Sequence, residues 1–212
     1  MKTLRKINFA CRKFPAYIMT HPFKGFDEMK SEKKGSIWFC LFVLLFSCVL
    51  NVLEYVYTGF LVNYNDIYQV STLYLMLVTA FPVALFVTGN WSVTSLMNGK
   101  GKYLEIFMVT MYALYPYCVL RVIALILSNF LLLDEMAIVS AIKGIGVALL
   151  AFYLFIGLVV IHEYSFTQGV AVVFLTLFAI LVIVFVLMLA FSLTADVWDF
   201  LRTVWREARL KM

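Results

Sequence analysis

The stretch GNWSVTSLMNGKGKYLE (residues 89–105) joins two long apolar runs through a short group of small, polar and basic residues. The runs on either side, 73–94 and 104–133, each contain the roughly 20 residues that a helix needs to cross a hydrocarbon core of about 30 Å. Helices are the form expected for such runs, because an unsatisfied backbone group in lipid costs several kcal/mol. We interpret the stretch as the boundary between two membrane spans.

The residues of this boundary suit a membrane surface. Trp91 is of the type that lies at the headgroup level, and Asn98 and Gly99 favour a turn. Lys100 and Lys102 favour the cytoplasmic side, because short cytoplasmic loops carry an excess of basic residues. The pattern therefore predicts a cytoplasmic turn.

Two motifs that suggest chemistry each lack a required residue. A phosphate-binding P-loop requires Ser or Thr after its Gly-Lys pair, but Tyr103 follows Gly101 and Lys102. IHEYSF (residues 161–166) begins like a zinc-protease helix, but Phe166 stands where the second histidine is needed. Its histidine and glutamate are therefore assigned to a polar loop between spans, and the four cysteines show no metal or disulfide pattern. We expect no enzyme activity, no cofactor, no metal and no nucleic-acid partner.

The composition places the chain in a membrane. Hydrophobic residues make up 64% of the 212 positions, charged residues 14%, and the mean hydropathy is +0.97. Soluble domains average about 45–50% apolar and about 25% charged residues. We predict an all-α integral membrane bundle of about five transmembrane helices, with amphipathic N- and C-terminal interfacial segments. The predicted spans are 37–62, 73–94, 104–133, 138–161 and 169–195.

These spans divide the chain into an N-terminal arm (1–35), a transmembrane domain (36–195) and a basic C-terminal helix (196–212). The basic residues of the arm place the N-terminus in the cytoplasm. Five crossings would then put the basic C-terminal helix outside, against the same bias. Either that helix is a tolerated exception, or the third run, with Pro116 near its middle, forms a re-entrant hairpin instead of one long kinked span.

The C-terminal segment predicts a helix in the headgroup layer. We expect Trp198 and Trp205 on one face and Arg202, Arg206 and Arg209 on the other. Both basic ends of the chain are expected to attract anionic lipid headgroups.

Two charged residues fall well inside predicted spans. Glu54 and Arg121 each follow the start of their span by seventeen positions, so both would lie about 26 Å from the cytoplasmic boundary. We hypothesise an ion pair between them, with Asn51 as a further partner. The alternative is that each side chain extends separately into the outer headgroups.

Two longer segments carry a family resemblance. HPFKGFDEMKSEKKGS (21–36) and GNWSVTSLMNGKGKYLEIFMVTMYALYPY (89–117), together with five apolar runs, resemble the Yip family of Ypt-interacting membrane proteins, above all its short bacterial branch. The most specific matching positions are Asn90, Trp91, Gly99, Lys100, Gly101, Tyr112 and Pro116.

The resemblance implies a membrane protein with no catalytic residue. Eukaryotic members carry a longer polar N-terminal domain and act in vesicle traffic with prenylated small GTPases; since the arm here is short, GTPase binding is not carried over. Bacterial relatives accompany carbohydrate ABC importers, which implies an accessory or scaffold subunit beside other integral membrane subunits, such as ABC permeases, in the bacterial cytoplasmic membrane. A trafficking or membrane-shaping adaptor and an independent small-solute transporter or channel are the alternatives.

Overall fold

The computed structural model describes residues 13–61, 63, 65 and 70–210, all as helices and their connections, without a strand. Residues 1–12 of the predicted arm and 211–212 of the predicted C-terminal helix lie outside the described residues. The helices are α1 (Phe14–Thr20), α2 (Pro22–Ser31), α3 (Ile37–Tyr57), α4 (Thr72–Leu96), α5 (Tyr103–Ser128), α6 (Met136–His162) and α7 (Phe166–Leu210), with a 3-10 turn (Leu133–Glu135) before α6.

The five helices α3 to α7 are long and apolar enough to cross a membrane. This confirms the prediction of an all-α bundle of about five spans, and the chain is an integral membrane protein. The third span, α5, is one continuous helix with Pro116 inside it, so the structure does not contain the re-entrant hairpin. The first and third spans end at Tyr57 and Ser128, earlier than 62 and 133, because apolar residues continue into the turns beyond them.

Side chains fix where three of the spans begin. The Ser36 hydroxyl accepts a hydrogen bond from the N–H of Phe39 at 3.4 Å and caps α3. The Glu105 carboxylate accepts one from the N–H of Lys102 at 3.0 Å, at the start of α5. Ser71 caps α4 in the same way as Ser36. These caps satisfy N–H groups that have no partner within their own helix.

The spans are buried to very different extents. In the most apolar part of each helix, 56% of α5 is buried inside the bundle, against 11% for α4 and for α7. Close packing around α5 depends on Gly157 of α6, where a Cβ would overlap Val109 and lie 3.2 Å from Phe26. The structure therefore has a packed centre and two outer helices with few fully buried residues.

The described part of the arm folds back onto this centre. Phe14, Ile18, Phe26 and Met29 are buried in the same core as α5 and α6. The Tyr153 hydroxyl of α6 also donates a hydrogen bond to the backbone oxygen of Met19 at 2.7 Å. The arm is therefore packed against the protein rather than lying only on the lipid surface, and we call this side of the bundle the arm end.

Helix α7 runs for 45 residues without interruption, through the predicted domain boundary at 195. The predicted separate C-terminal helix is thus a continuation of the last span. The boundary marks a change from apolar to charged side chains, and charged side chains do not by themselves stop a helix. Since α7 is the fifth crossing, its C-terminal part lies at the far end, opposite the arm.

Candidate functional site

The loop after α4, residues 97–102, turns sharply at the arm end, and we call it the glycine loop. Asn98 has a φ of 55°, in the left-handed region that asparagine tolerates better than most residues. The N–H of Gly99 donates a hydrogen bond to the backbone oxygen of Thr94 at 2.8 Å. This backbone bond returns the chain toward the last turn of α4.

Two glycines of this loop lie directly against the ring of His162. A Cβ at Gly99 would be 2.5 Å from His162 Nδ1 and 2.6 Å from the Tyr164 hydroxyl, and one at Gly101 would be 2.7 Å from His162 Cε1. The N–H of Gly101 donates a hydrogen bond to His162 Nδ1 at 3.2 Å. Glycine is needed here because the imidazole occupies the space that a side chain would fill.

The His162 ring is almost completely buried, with 2% of its surface exposed. Because Nδ1 accepts a hydrogen bond, the neutral ring carries its proton on Nε2. Within the described part of the chain, Nε2 has no hydrogen-bond partner. The ring also stacks on Tyr164, with 5.2 Å between centroids. His162 is thus a packing element of the loop.

The next residue, Glu163, connects three parts of the chain in what we call the arm clamp. It ends α6 with a φ of 57°, and its carboxylate contacts Lys30 Nζ of α2 at 2.8 Å and Lys100 Nζ of the glycine loop at 2.5 Å. Hydrogen bonds from Lys100 and then Lys30 lower the pKa of Glu163 to about 2. The Glu163 side chain is 52% exposed, so water and salt screen both bonds.

Asn90 and Trp91, neighbours in the sequence, point in different directions. Asn90 is fully buried and donates a hydrogen bond from Nδ2 to the Thr176 hydroxyl at 3.0 Å, which joins α4 to α7. Trp91 is 45% exposed and contacts Tyr103 edge-on at 5.9 Å, at the arm end where headgroups would lie. One residue packs the bundle and the other faces its surroundings.

Tyr112 occupies the centre of the arm contact. Its ring stacks on Phe39 at 5.0 Å and meets Phe14 edge-on at 5.8 Å. Its hydroxyl accepts a hydrogen bond from the N–H of Ser36 at 3.2 Å. Tyr112 therefore connects α1, the beginning of α3 and the middle of α5.

A second polar cluster lies near the far end, and we call its core the buried pair. Arg121 binds Glu54 through two parallel contacts, Nε to Oε1 at 3.1 Å and Nη2 to Oε2 at 2.6 Å. Arg121 Nη2 also donates to Asn51 Oδ1 at 3.4 Å, and Asn51 Nδ2 donates to the backbone oxygen of Leu75 at 3.0 Å. The two charged side chains are only 10% and 14% exposed. The structure thus brings together the hypothesised ion pair and its further partner, Asn51.

The residues of the C-terminal helix lie apart from both clusters, and their arrangement corrects one expectation. The Arg202 guanidinium lies over the Trp198 ring, 5.4 Å from its centroid. The prediction that arginines and tryptophans occupy opposite faces is wrong, because residues four apart lie one turn above each other on the same side of a helix.

His162, Glu163 and Lys30 are the site residues that sequence reasoning missed. The first two were assigned to a polar loop between spans, and Lys30 was counted only among the basic residues of the arm that place the N-terminus in the cytoplasm. The available signal was the acidic Glu163 itself, because the five predicted spans place its turn on the same side as the basic arm and the basic loop. Among the described residues, no group of three or more His, Cys, Asp or Glu side chains could hold a metal ion.

Most of the chain matches a known protein family. The family model of the Yip1 domain matches residues 16–188, which include most of α1, all of α2, the glycine loop, the arm clamp and the buried pair. No curated protein and no solved structure matches the chain.

Proposed function

The chain belongs to the Yip1 domain family, and we propose that it is a non-catalytic accessory or scaffold subunit of a larger membrane complex. The family points to a membrane protein, with a role in trafficking as one option. The partner complex, the membrane in which the chain lies and the end that faces the cytoplasm are likewise proposed.

The observation that carries the proposal is the uneven burial of the spans. More than half of the most apolar window of α5 is buried, whereas only 11% of the corresponding window is buried in α4 and in α7. Along their shared edge they form an apolar groove lined by residues including Val93, Leu96, Leu175, Phe178 and Val182. Helices associate in lipid through close van der Waals packing, so this side supports contact with another membrane subunit.

The polar groups inside the described bundle support a structural role. Glu54 and Arg121 bind each other, and Asn51 bonds to both the arginine and the backbone of α4. Charged residues in transmembrane segments often mark a transport path, but they are also found paired with one another. Here the pairing fixes α3, α4 and α5 relative to each other, as a rigid scaffold needs.

We place the arm end in the cytoplasm of a bacterium, with an importer permease as the partner to test first. Lys30 and Lys100 come from different parts of the sequence, yet both contact Glu163, so the basic arm and the basic glycine loop share one end. A shared basic end is what the positive-inside rule predicts for a cytoplasmic surface.

A trafficking or membrane-shaping adaptor is the second candidate, and the family match favours it. In that case the exposed charged side chains around the arm clamp would face a cytoplasmic partner. An independent transporter or channel is the third candidate, and it would require the buried pair to open to water during transport.

Purification of the full chain from native membranes in a mild detergent tests these functions. A co-purifying importer permease supports the leading proposal, a GTPase supports the second, and a protein that purifies alone and moves solute in liposomes supports the third. The matched variants are Phe178→Ala in the α4–α7 groove and Phe152→Ala on α6, both exposed phenylalanines. The leading proposal predicts partner loss in Phe178→Ala alone, and equal retention in both variants contradicts the choice of surface.

A further inference from the structure

Helix α7 is longer than a membrane is thick. Its 45 residues would measure about 67 Å at about 1.5 Å per residue. The apolar part, residues 166–195, accounts for about 45 Å of this, whereas a hydrocarbon core is about 30 Å thick. A helix with this excess length fits the core by tilting.

Only the first part of α7 is held by the bundle. Val172 and Thr176 are buried, and Thr176 accepts the hydrogen bond from Asn90 of α4. Every described side chain from 185 to 206 is exposed. A tilt would therefore carry the far-end segment of α7, residues 196–210, down toward the membrane surface; we call this segment the tail.

The tail carries three kinds of side chain in a fixed order around its axis. Trp198, Leu201 and Trp205 follow the three- and four-residue spacing of one apolar face. Arg202 stands one turn after Trp198 and contacts its ring at 5.4 Å. On its other side Arg202 approaches Asp199, with 3.9 Å between Nη1 and Oδ1.

The basic residues thus lie between the apolar face and the acidic residues. Arg209 follows Trp205 by four residues, as Arg202 follows Trp198, so each arginine lies one turn after a tryptophan. Arg206 extends the basic strip toward the acidic side. From Trp198 through Arg202 to Asp199, the order around the helix is apolar, basic and then acidic.

We propose that the tail binds the phosphate groups of anionic phospholipids in the leaflet at the far end of the bundle. The order of its side chains matches the order of layers at a membrane surface, which are hydrocarbon, phosphate and water. Tryptophan rings lie at the boundary of the first two layers. Guanidinium groups bind phosphate through two parallel hydrogen bonds, and the acidic residues remain in water.

This order distinguishes a lipid surface from other occupants. A second copy in the same membrane would run parallel and would place Arg202 against its own equivalent, which repels. An acidic protein would satisfy the arginines, but it would not require an apolar face beside them and acidic residues beyond. The inference depends on membrane insertion and holds whichever complex the chain serves.

The test uses the full chain in vesicles of phosphatidylcholine, with or without phosphatidylglycerol. Trp38, Trp91 and Trp198 are replaced by phenylalanine, so that Trp205 is the only tryptophan left. Quenching of its fluorescence by acrylamide then measures its exposure to water. We expect acrylamide quenching to fall several-fold when phosphatidylglycerol is present. Inorganic phosphate added to pure phosphatidylcholine vesicles should leave the quenching unchanged, because a free anion does not supply a surface.

Two further variants make the result specific. Replacing Arg202, Arg206 and Arg209 with glutamine should abolish the effect of phosphatidylglycerol. Raising the salt to 1 M should reduce the effect, because the screening length is then only about 3 Å. In the matched control, Thr203→Trp with Trp205→Phe moves the reporter to the acidic side, where quenching should stay high in both vesicles. Equal quenching of Trp205 in the two vesicle types, or an effect that survives the glutamine variant, overturns the proposal. Shielding that is equal in both vesicles indicates an apolar protein contact instead.

Discussion

The arm clamp and the buried pair are both salt bridges between distant parts of the chain, but they differ in their surroundings. In the arm clamp, Glu163 is 52% exposed and its partners Lys100 and Lys30 are 64% and 20% exposed, whereas Arg121 and Glu54 are 10% and 14% exposed. Exposed pairs contribute little because water competes for each charge. In a buried pair each charge depends on the other, because removing one leaves the second buried with neither water nor a partner, which destabilises the fold.

The comparison teaches that the two ends of the bundle are held in different ways. At the arm end, glycine packing and buried aromatic rings hold the loop and the arm, and the salt bridges add orientation. At the far end the pair itself connects α3 to α5. The following experiments test this difference, beginning with the largest expected effect.

Removing one member of the buried pair should be the most damaging change. Arg121→Ala leaves Glu54 charged and enclosed, so we expect the free energy of unfolding to fall by about 3–5 kcal/mol. The loss of unfolding free energy is measured by adding increasing amounts of a denaturing detergent to protein purified in a mild detergent. The double variant Glu54→Gln with Arg121→Gln should lose less than Arg121→Ala, and exchanging the two charges should recover part of the stability. A single variant as stable as the parent protein would show that the two side chains do not depend on each other.

Filling the space beside His162 should have the next largest effect. Gly101→Ala places a Cβ 2.7 Å from the ring, and overpacking of this kind costs about 1–3 kcal/mol. Gly144→Ala is the matched control, because nothing lies within 4 Å of a Cβ at that position. Thermal unfolding in detergent should separate the two variants, and equal melting temperatures would contradict the role assigned to the glycine loop.

Neutralising the arm clamp should have a smaller effect that depends on pH. The pKa of Glu163 is lowered to about 2 in the folded protein, below the ordinary value of about 4.3. A lowered pKa stabilises the fold above about pH 4.3, and this contribution is lost as the pH falls through about 2. Glu163→Gln should therefore be less stable than the parent protein at pH 7, and the difference should disappear as the pH falls below about 2. A difference that stays constant over this range would mean that the carboxylate charge is not responsible.

Salt should produce the smallest effect, and only at the arm end. Raising the ionic strength to 1 M shortens the screening length to about 3 Å, which weakens exposed pairs more than enclosed ones. Hydrogen exchange should become slightly faster in α2, which carries Lys30, and stay unchanged around Arg121. Faster exchange at both places would show that water already reaches the buried pair.

Much of the fold could be predicted because it depends on solvent preference along the chain. The five spans follow from apolar length, and Glu54 and Arg121 could be suggested as partners because equal distances from their span starts imply equal depth. Their hydrogen-bond geometry, and the contact of Asn51 with α4, depend on how three helices are rotated. Hydropathy contains no information about that rotation.

The residues at the arm end show where sequence reasoning fails. Gly99 and Gly101 are assigned by sequence to a turn, but the structure shows that the ring of His162, about sixty positions later, requires their small size. The acidic Glu163 similarly gains its role only when α2 and the glycine loop meet. Contacts over such separations leave no periodic pattern in the chain.

The sequence by itself determined the solvent of this protein, the helical class and the number of spans, because in lipid each backbone must satisfy its own hydrogen bonds within a helix. Tertiary structure decided that the arm packs on the bundle, that the ring of His162 meets Gly99 and Gly101, and that Asn51 joins the pair of Glu54 and Arg121. These features depend on which side chains meet across helices, and packing in three dimensions settles that.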